Sequence, residues 1–195
     1  MMGAVGRLMR NVRAGEHRSP FAGPGFEAPY DITVTSTAFG DGGAMPAASA
    51  GKGVGANSSP QLRWTALPPD TRQLVLIIED VDVPLPRPLL HTIAVIEPGL
   101  TDVDTGTLQP GTAGMRFIPG GLGHRGYAGP RTIPGHGPHH YRFHLFALDE
   151  PIPDHVTTAK ALLKQMAGHV LARGMLTGTY ERPHRGAAVT GSDGT

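Results

Sequence analysis

The chain has 195 residues, 17 Lys and Arg against 16 Asp and Glu, and no cysteine. That length suits one domain with a full hydrophobic core. The near-neutral balance supplies no field to draw nucleic acid or a membrane surface, and the missing thiols exclude disulfides, thiol catalysis and thiolate-bound zinc.

Gly 28 and Pro 19 beside only 17% charged residues favour a β-rich body, since both types punctuate strands and turns more than helices. No apolar run approaches the roughly 20 residues of a membrane span. Residues 1–29 form an N-terminal arm. Arg7, Arg10 and Arg13 surround a short Val5/Leu8/Met9 patch, and a Gly/Pro-rich stretch runs from Phe21 to Phe26. A signal peptide's contiguous apolar core of about 7–15 residues is missing, so the expected location is cytoplasmic. The arm itself is expected to be solvated or loosely packed.

Ile32 to Thr35 alternates and is β-branched, which predicts the first strand. A Gly/Ala/Ser-rich loop follows over residues 40–59, long enough to be mobile or functional. Ser59 to Trp64 reads as a short edge strand with Pro60 at its start, where a missing N–H costs little. Leu74 to Ile78 is a continuous apolar run of strand length, hence buried on both faces. Glu79-Asp80-Val81-Asp82-Val83-Pro84 closes that strand. In the next, His91 to Ile96, period two places His91, Ile93 and Val95 on one face and Thr92, Ala94 and Ile96 on the other.

A Gly/Pro-rich loop from Tyr127 leads to the strand that opens at His139. There, His139, Tyr141, Phe143 and Leu145 share one face, while His140, Arg142 and His144 point toward solvent or an interface. The one helix predicted near the C-terminus spans 157–173. Thr157 or Thr158 caps it, Leu162, Leu163, Met166 and Val170 form its stripe, and Gly174 closes it. Met175 to Tyr180 is the final strand, and residues 183–195 are a flexible tail. Strands without alternating helices predict a mainly β, antiparallel sandwich in one domain over 30–182.

Acid, imidazole and small-residue backbone thus converge on a place able to hold a small anion. Taken by residue type alone, Asp80 and Asp82 are equally suited to bonding local backbone as turn formers. His136, His139, His140 and His144 with the two Asp invite a metal reading, but alternation sends His139 away from His140 and His144, so no metal site is assigned. Ser59 and Thr132 are nucleophiles by composition only, outside any nucleophile-elbow context.

Five blocks in order carry a resemblance to a known family. Asp80-Val81-Asp82-Val83-Pro84 resembles the motif Asp-Pro-Asp-x-Pro, with Val81 for the first Pro. His91 heads the next long strand, and Gly126-Tyr127-Ala128-Gly129-Pro130 matches Gly-Tyr-x-Gly-Pro. His139-His140-Tyr141-Arg142-Phe143 is similar to His-Arg-Tyr-x-Phe, and Ser59 to Trp64 to Ser-Pro-x-Leu-x-Trp. The family is that of the phosphatidylethanolamine-binding proteins, in its bacterial Raf-kinase-inhibitor-like branch. Thr92 stands where a Trp usually follows the His.

The resemblance implies a β-sandwich with a few peripheral helices and a surface pocket for phosphate-like or carboxylate anions. It assigns that pocket to Asp80, Asp82, Pro84, His91, Tyr127, Gly129, Pro130, His139 and Tyr141. In it, His91 and His139 would donate ring N–H groups, and the Gly129 N–H would lie open to a ligand. Asp80 would orient an imidazole or bind a ligand's amine, Tyr127 and Tyr141 would line the mouth, and Pro84 and Pro130 would stiffen the rim. A cis bond at Val83-Pro84 is compatible with the motif. The expectation is a non-enzymatic binding protein with no cofactor, no nucleic-acid partner and, as bacterial relatives suggest, a homodimer. The alternative is a protein-interaction regulator in which the pocket is a switch or a vestige.

Overall fold

The structure, a computed structural model, describes residues 2–182; the tail expected over 183–195 lies outside them. Among the described residues nine strands form two sheets. Their spans are β1 Tyr30–Asp31, β2 Val34–Thr35, β3 Leu62–Trp64, β4 Gln73–Asp80, β5 Leu89–Ile96, β6 Asp102–Val103, β7 Met115–Ile118, β8 His139–Leu148 and β9 Val170–Tyr180. The larger sheet has the order β1-β9-β8-β4-β5-β7 and the smaller β2-β3-β6. All pairings are antiparallel except that of β1 with β9. The expected sandwich is what the chain forms. Of the run expected as one first strand, Ile32 to Thr35, only Val34–Thr35 is strand, pairing with β3, while the preceding Tyr30–Asp31 pairs with β9 in the larger sheet.

Alternation along β4 and β8 builds two cores. Leu74, Leu76, Ile78, Tyr141, Phe143 and Leu145 meet Val34, Leu62 and Trp64 of the small sheet. Val75, Ile77, Ile93, Val95, Phe146 and Leu148 form a second core on the opposite face. Burial on both faces explains the unbroken apolar run of β4.

The second core corrects the reading of the arm. Phe21 and Phe26 are buried there with 5.3 Å between ring centroids, and Phe21 lies 5.1 Å from Phe146. Helix α1, Met2–Leu8, leads into a segment that hydrogen-bonds the end of β4, with Ala14 N–H donating to Val83 O and Gly15 N–H to Val81 O, each at 2.9 Å. Two isolated phenylalanines in a Gly/Pro stretch carry no periodicity, so nothing local announces their partner, which is a sheet face.

Helix α2 is shorter than expected, Ala159–Met166, capped by Thr158 Oγ1 accepting from Ala161 N. Gly168, at φ +84°, ends the helical path, and Val170 begins β9 instead of extending the helical stripe. Gly174 is therefore not a cap: it sits within β9, where a Cβ would collide with the Ile32 carbonyl. Among the described residues no peptide bond is cis, so Val83-Pro84 is trans. No helix among them is long and apolar enough to cross a membrane.

Candidate anion-binding site

A register break at the end of β4 shapes the site. Ile78 pairs with Thr92 but Glu79 pairs with Leu90, leaving His91 as an extra residue in β5. Such a bulge breaks strict alternation. His91 is therefore not carried to the face of Ile93 and Val95 as period two predicts. Its ring packs edge-on to Tyr141 at 5.3 Å, on the side of the inter-sheet core. His91 Nδ1 lies 3.0 Å from Ala128 O, and Thr92 Oγ1 accepts from Ala128 N at 3.1 Å. The two bulge residues thus hold both backbone groups of one residue in the Gly126–Pro130 segment.

Asn57 braces the same segment from the other side. Its Nδ2 donates to Tyr127 O at 3.0 Å, and its Oδ1 accepts from Gly129 N at 2.9 Å. Asn57 adopts φ 55°, the one positive value outside glycine among the described residues, which suits Asn better than most side chains. The polar groups of Gly129 and Tyr127 are thus engaged within the protein. The Gly129 N–H is taken by Asn57, and a Cβ there would collide with Ser49 O. Tyr127 donates its hydroxyl to Ser49 O at 2.9 Å, and burial pushes its ionisation well above the usual range.

These contacts wall a cavity of about 460 Å³ that His91, Tyr127 and Gly129 help to line. His91 is 6% exposed, and its Nε2 is buried without a hydrogen-bond partner. Burial holds the ring's pKa below its usual value, while Asp80 and the Ala128 bond act in the opposite direction and His139 reinforces the lowering. Lys52, Arg125, Arg131 and His124 also line the cavity, and no Asp or Glu does. None of these basic residues was legible as a site residue. Lys52 is the single basic residue in the 40–59 loop, the one signal that could have marked it.

The remaining expected residues adjoin His91 or its neighbours but do not line this cavity. Asp80 Oδ2 is 2.7 Å from His139 Nδ1, both groups being 2% exposed, and Asp80 Oδ1 accepts from Asp82 N at 2.9 Å. His139 Nε2 meets His136 Nδ1 at 2.8 Å, and His136 Nε2 meets Val12 O at 3.2 Å. A carbonyl only accepts, so the neutral His136 ring donates its Nε2–H to Val12 O and accepts at Nδ1 a hydrogen bond from the His139 Nε2–H. Both His139 nitrogens are thus engaged, and neither is offered to a ligand in the cavity. Burial and the neighbouring His139 depress the His136 pKa. Tyr141 is 1% exposed, and burial, followed by the Asp80 charge, pushes its phenol far above the usual range.

Asp82 pairs with Arg13 and His140 at 2.7 Å each. Burial opposes its charge, yet the His140 N–H, Arg13 and the His140 ring together hold the carboxyl below its usual range. Pro84 is half-buried beside it and Pro130 is buried; neither lines the cavity. His144, expected toward solvent or an interface, is 2% exposed and pairs with the buried Glu79 at 2.9 Å beneath Phe21. Among the described residues no three His, Asp or Glu side chains are grouped to hold a metal ion.

A family model described as phosphatidylethanolamine-binding protein matches residues 35–181. A UPF0098 protein of Pyrococcus horikoshii is 36% identical over 165 residues, spanning 81% of this chain and 80% of the relative. The crystal structure of a putative phosphatidylethanolamine-binding protein homologue from Chlamydia trachomatis superimposes with TM-score 0.69 at 30% identity, covering 77% of this chain and 97% of that one. The YbcL structure of E. coli shares the fold at TM-score 0.71 and 24% identity, over 77% and 98% of the two chains.

Proposed function

The chain belongs to the phosphatidylethanolamine-binding protein family, and from that premise we propose that it binds a phosphate-like or carboxylate anion over His91 without transforming it. The observation that carries this reading is the His91 Nε2 atom, buried without a hydrogen-bond partner on a residue that lines a cavity with cations but no carboxylate in its wall. A buried polar atom without a partner is costly, and a ligand is the means of satisfying it.

The tautomer adds chemistry. Ala128 O accepts only, so the neutral ring carries its proton on Nδ1 and presents a lone pair at Nε2. An anion is held there when Nε2 takes up a second proton, and ligand charge then stabilises the imidazolium against the burial that disfavours it. Affinity is modest, because one imidazole and a few rim cations offset little association entropy.

Binding without turnover is favoured by the state of the hydroxyls. Ser59 is 1% exposed and its Oγ accepts from Leu108 N, while Thr132 Oγ1 accepts from Arg182 N. Neither is hydrogen-bonded to a base that would activate it. Imidazole NMR tests the reading. Inorganic phosphate at millimolar concentration is expected to move the His91 ring signals and leave those of His144, on the opposite sheet face, in place. Unmoved His91 signals in the folded protein would sink it.

A further inference from the structure

The family's name points to an ethanolamine-bearing headgroup, and such a ligand carries an ammonium that needs an anionic or strongly accepting partner. No carboxylate lines the wall of this cavity to meet it. Lys52 and Arg131 are exposed on the rim and form no ion pair among the described residues, and Arg125 uses Nη1 on the Phe117 carbonyl at 2.7 Å. The carboxylates nearest along the chain to the expected motif are already engaged, Asp80 with His139 and the Asp82 N–H, and Asp82 with Arg13 and His140. Meanwhile about 460 Å³ falls in the range of pockets for small organic ligands, roughly 300–1,000 Å³, and exceeds the needs of a bare ion. Leu108, Pro110 and Leu122 give part of the wall an apolar surface, suited to an uncharged carbon body.

We infer that this pocket selects phosphate monoesters whose carbon body bears no positive charge, and that Lys52 and Arg131 make it reject zwitterionic esters such as phosphoethanolamine. The inference rests on the anion-pocket reading and narrows its ligand class. The phosphoryl group sits against His91 Nε2, and the rim cations meet its remaining charge or a second acidic group on the ester. An ammonium in the same place lies among like charges. One unit charge about 6 Å from a rim cation, in the intermediate dielectric of a pocket mouth, corresponds to about a tenfold loss in affinity.

Calorimetric titration of the full chain at pH 7.5 with inorganic phosphate, glycerol 3-phosphate, 3-phosphoglycerate, phosphoethanolamine and dihexanoyl phosphatidate tests this. The expected order places both acidic-bodied and neutral-bodied esters at least about tenfold tighter than phosphoethanolamine. In the Lys52→Gln/Arg131→Gln double variant, glycerol 3-phosphate weakens and that gap closes. Phosphatidate tighter than glycerol 3-phosphate assigns the ester to a lipid, and the reverse assigns it to a soluble molecule; both outcomes uphold the ligand class. Phosphoethanolamine binding as tightly as glycerol 3-phosphate overturns the inference, as does binding of inorganic phosphate with no ester bound. Failure of every anion, inorganic phosphate included, instead overturns the anion-pocket reading itself.

Discussion

Two side chains that contact no ligand in this account set the shape of the pocket. Asn57 satisfies the Tyr127 carbonyl and the Gly129 N–H from a left-handed backbone position. Asn57→Gly keeps the backbone comfortable but removes both bonds, which costs about 1–3 kcal/mol at net hydrogen-bond values. Asn57→Ala adds the left-handed strain of a β-carbon, about 1 kcal/mol more. Urea unfolding of the two variants should therefore rank Ala below Gly, an inversion of the usual preference between these residues. Equal stabilities would remove Asn57's conformation from the argument. Thr92→Val leaves the Ala128 N–H without its acceptor. It should weaken phosphate binding by loosening the wall, with the fold retained.

At the scale of elements, the arm is the surprise. It docks across the ends of β4 and β8 through Arg13–Asp82, Glu16–Arg142 and the Ser19 hydroxyl on Glu79 at 2.9 and 3.0 Å. Phe21 then fills the second core at 3% exposure. Phe21→Ala should cost about 3–5 kcal/mol in chemical denaturation; a loss under about 0.5 kcal/mol, the size of a surface change, would return the arm to the surface. Asp82 links this docking to pH. Its folded pKa lies below the unfolded value, so its contribution is complete above about pH 4 and is lost as pH falls through the folded value. Asp82→Asn should thus start less stable at neutral pH, yet lose less stability than the parent chain between about pH 4 and pH 2. Parallel acid limbs for the two proteins would contradict that link.

Across the whole molecule, legibility tracked how local the cause was. The two-sided burial of β4 is written in five adjacent apolar residues, Leu74 to Ile78, and the sandwich follows from it. The motif blocks placed Asp80, His91, Tyr127 and His139 within one region. What they could not give was each residue's partner. The face of His91 depends on a bulge created by pairing with β4, and period two in a single strand contains no trace of it. His139 is diverted by His136 and Val12, the latter 127 positions away in a segment that resembles a linker. Val170 fitted a helical stripe, yet Gly168 at φ +84° and the β8 ladder take it into a strand. The rim cations are scattered in sequence, so only folding gathers them.

The central claim is that an anion meets His91 Nε2 and brings a proton with it. Sulfate isolates this step, because its own charge is constant between about pH 6 and pH 8. The decisive measurement is sulfate affinity across that range for the parent chain, His91→Asn and the rim control His124→Gln. An Asn at 91 can still reach the Ala128 carbonyl in place of Nδ1 but leaves the Nε2 position empty. The account predicts affinity that rises as pH falls in the parent chain and in His124→Gln, by up to about tenfold per pH unit for one proton taken up. It predicts weak, pH-independent binding in His91→Asn. Parent affinity that does not change with pH, or His91→Asn binding that matches the parent, would contradict it.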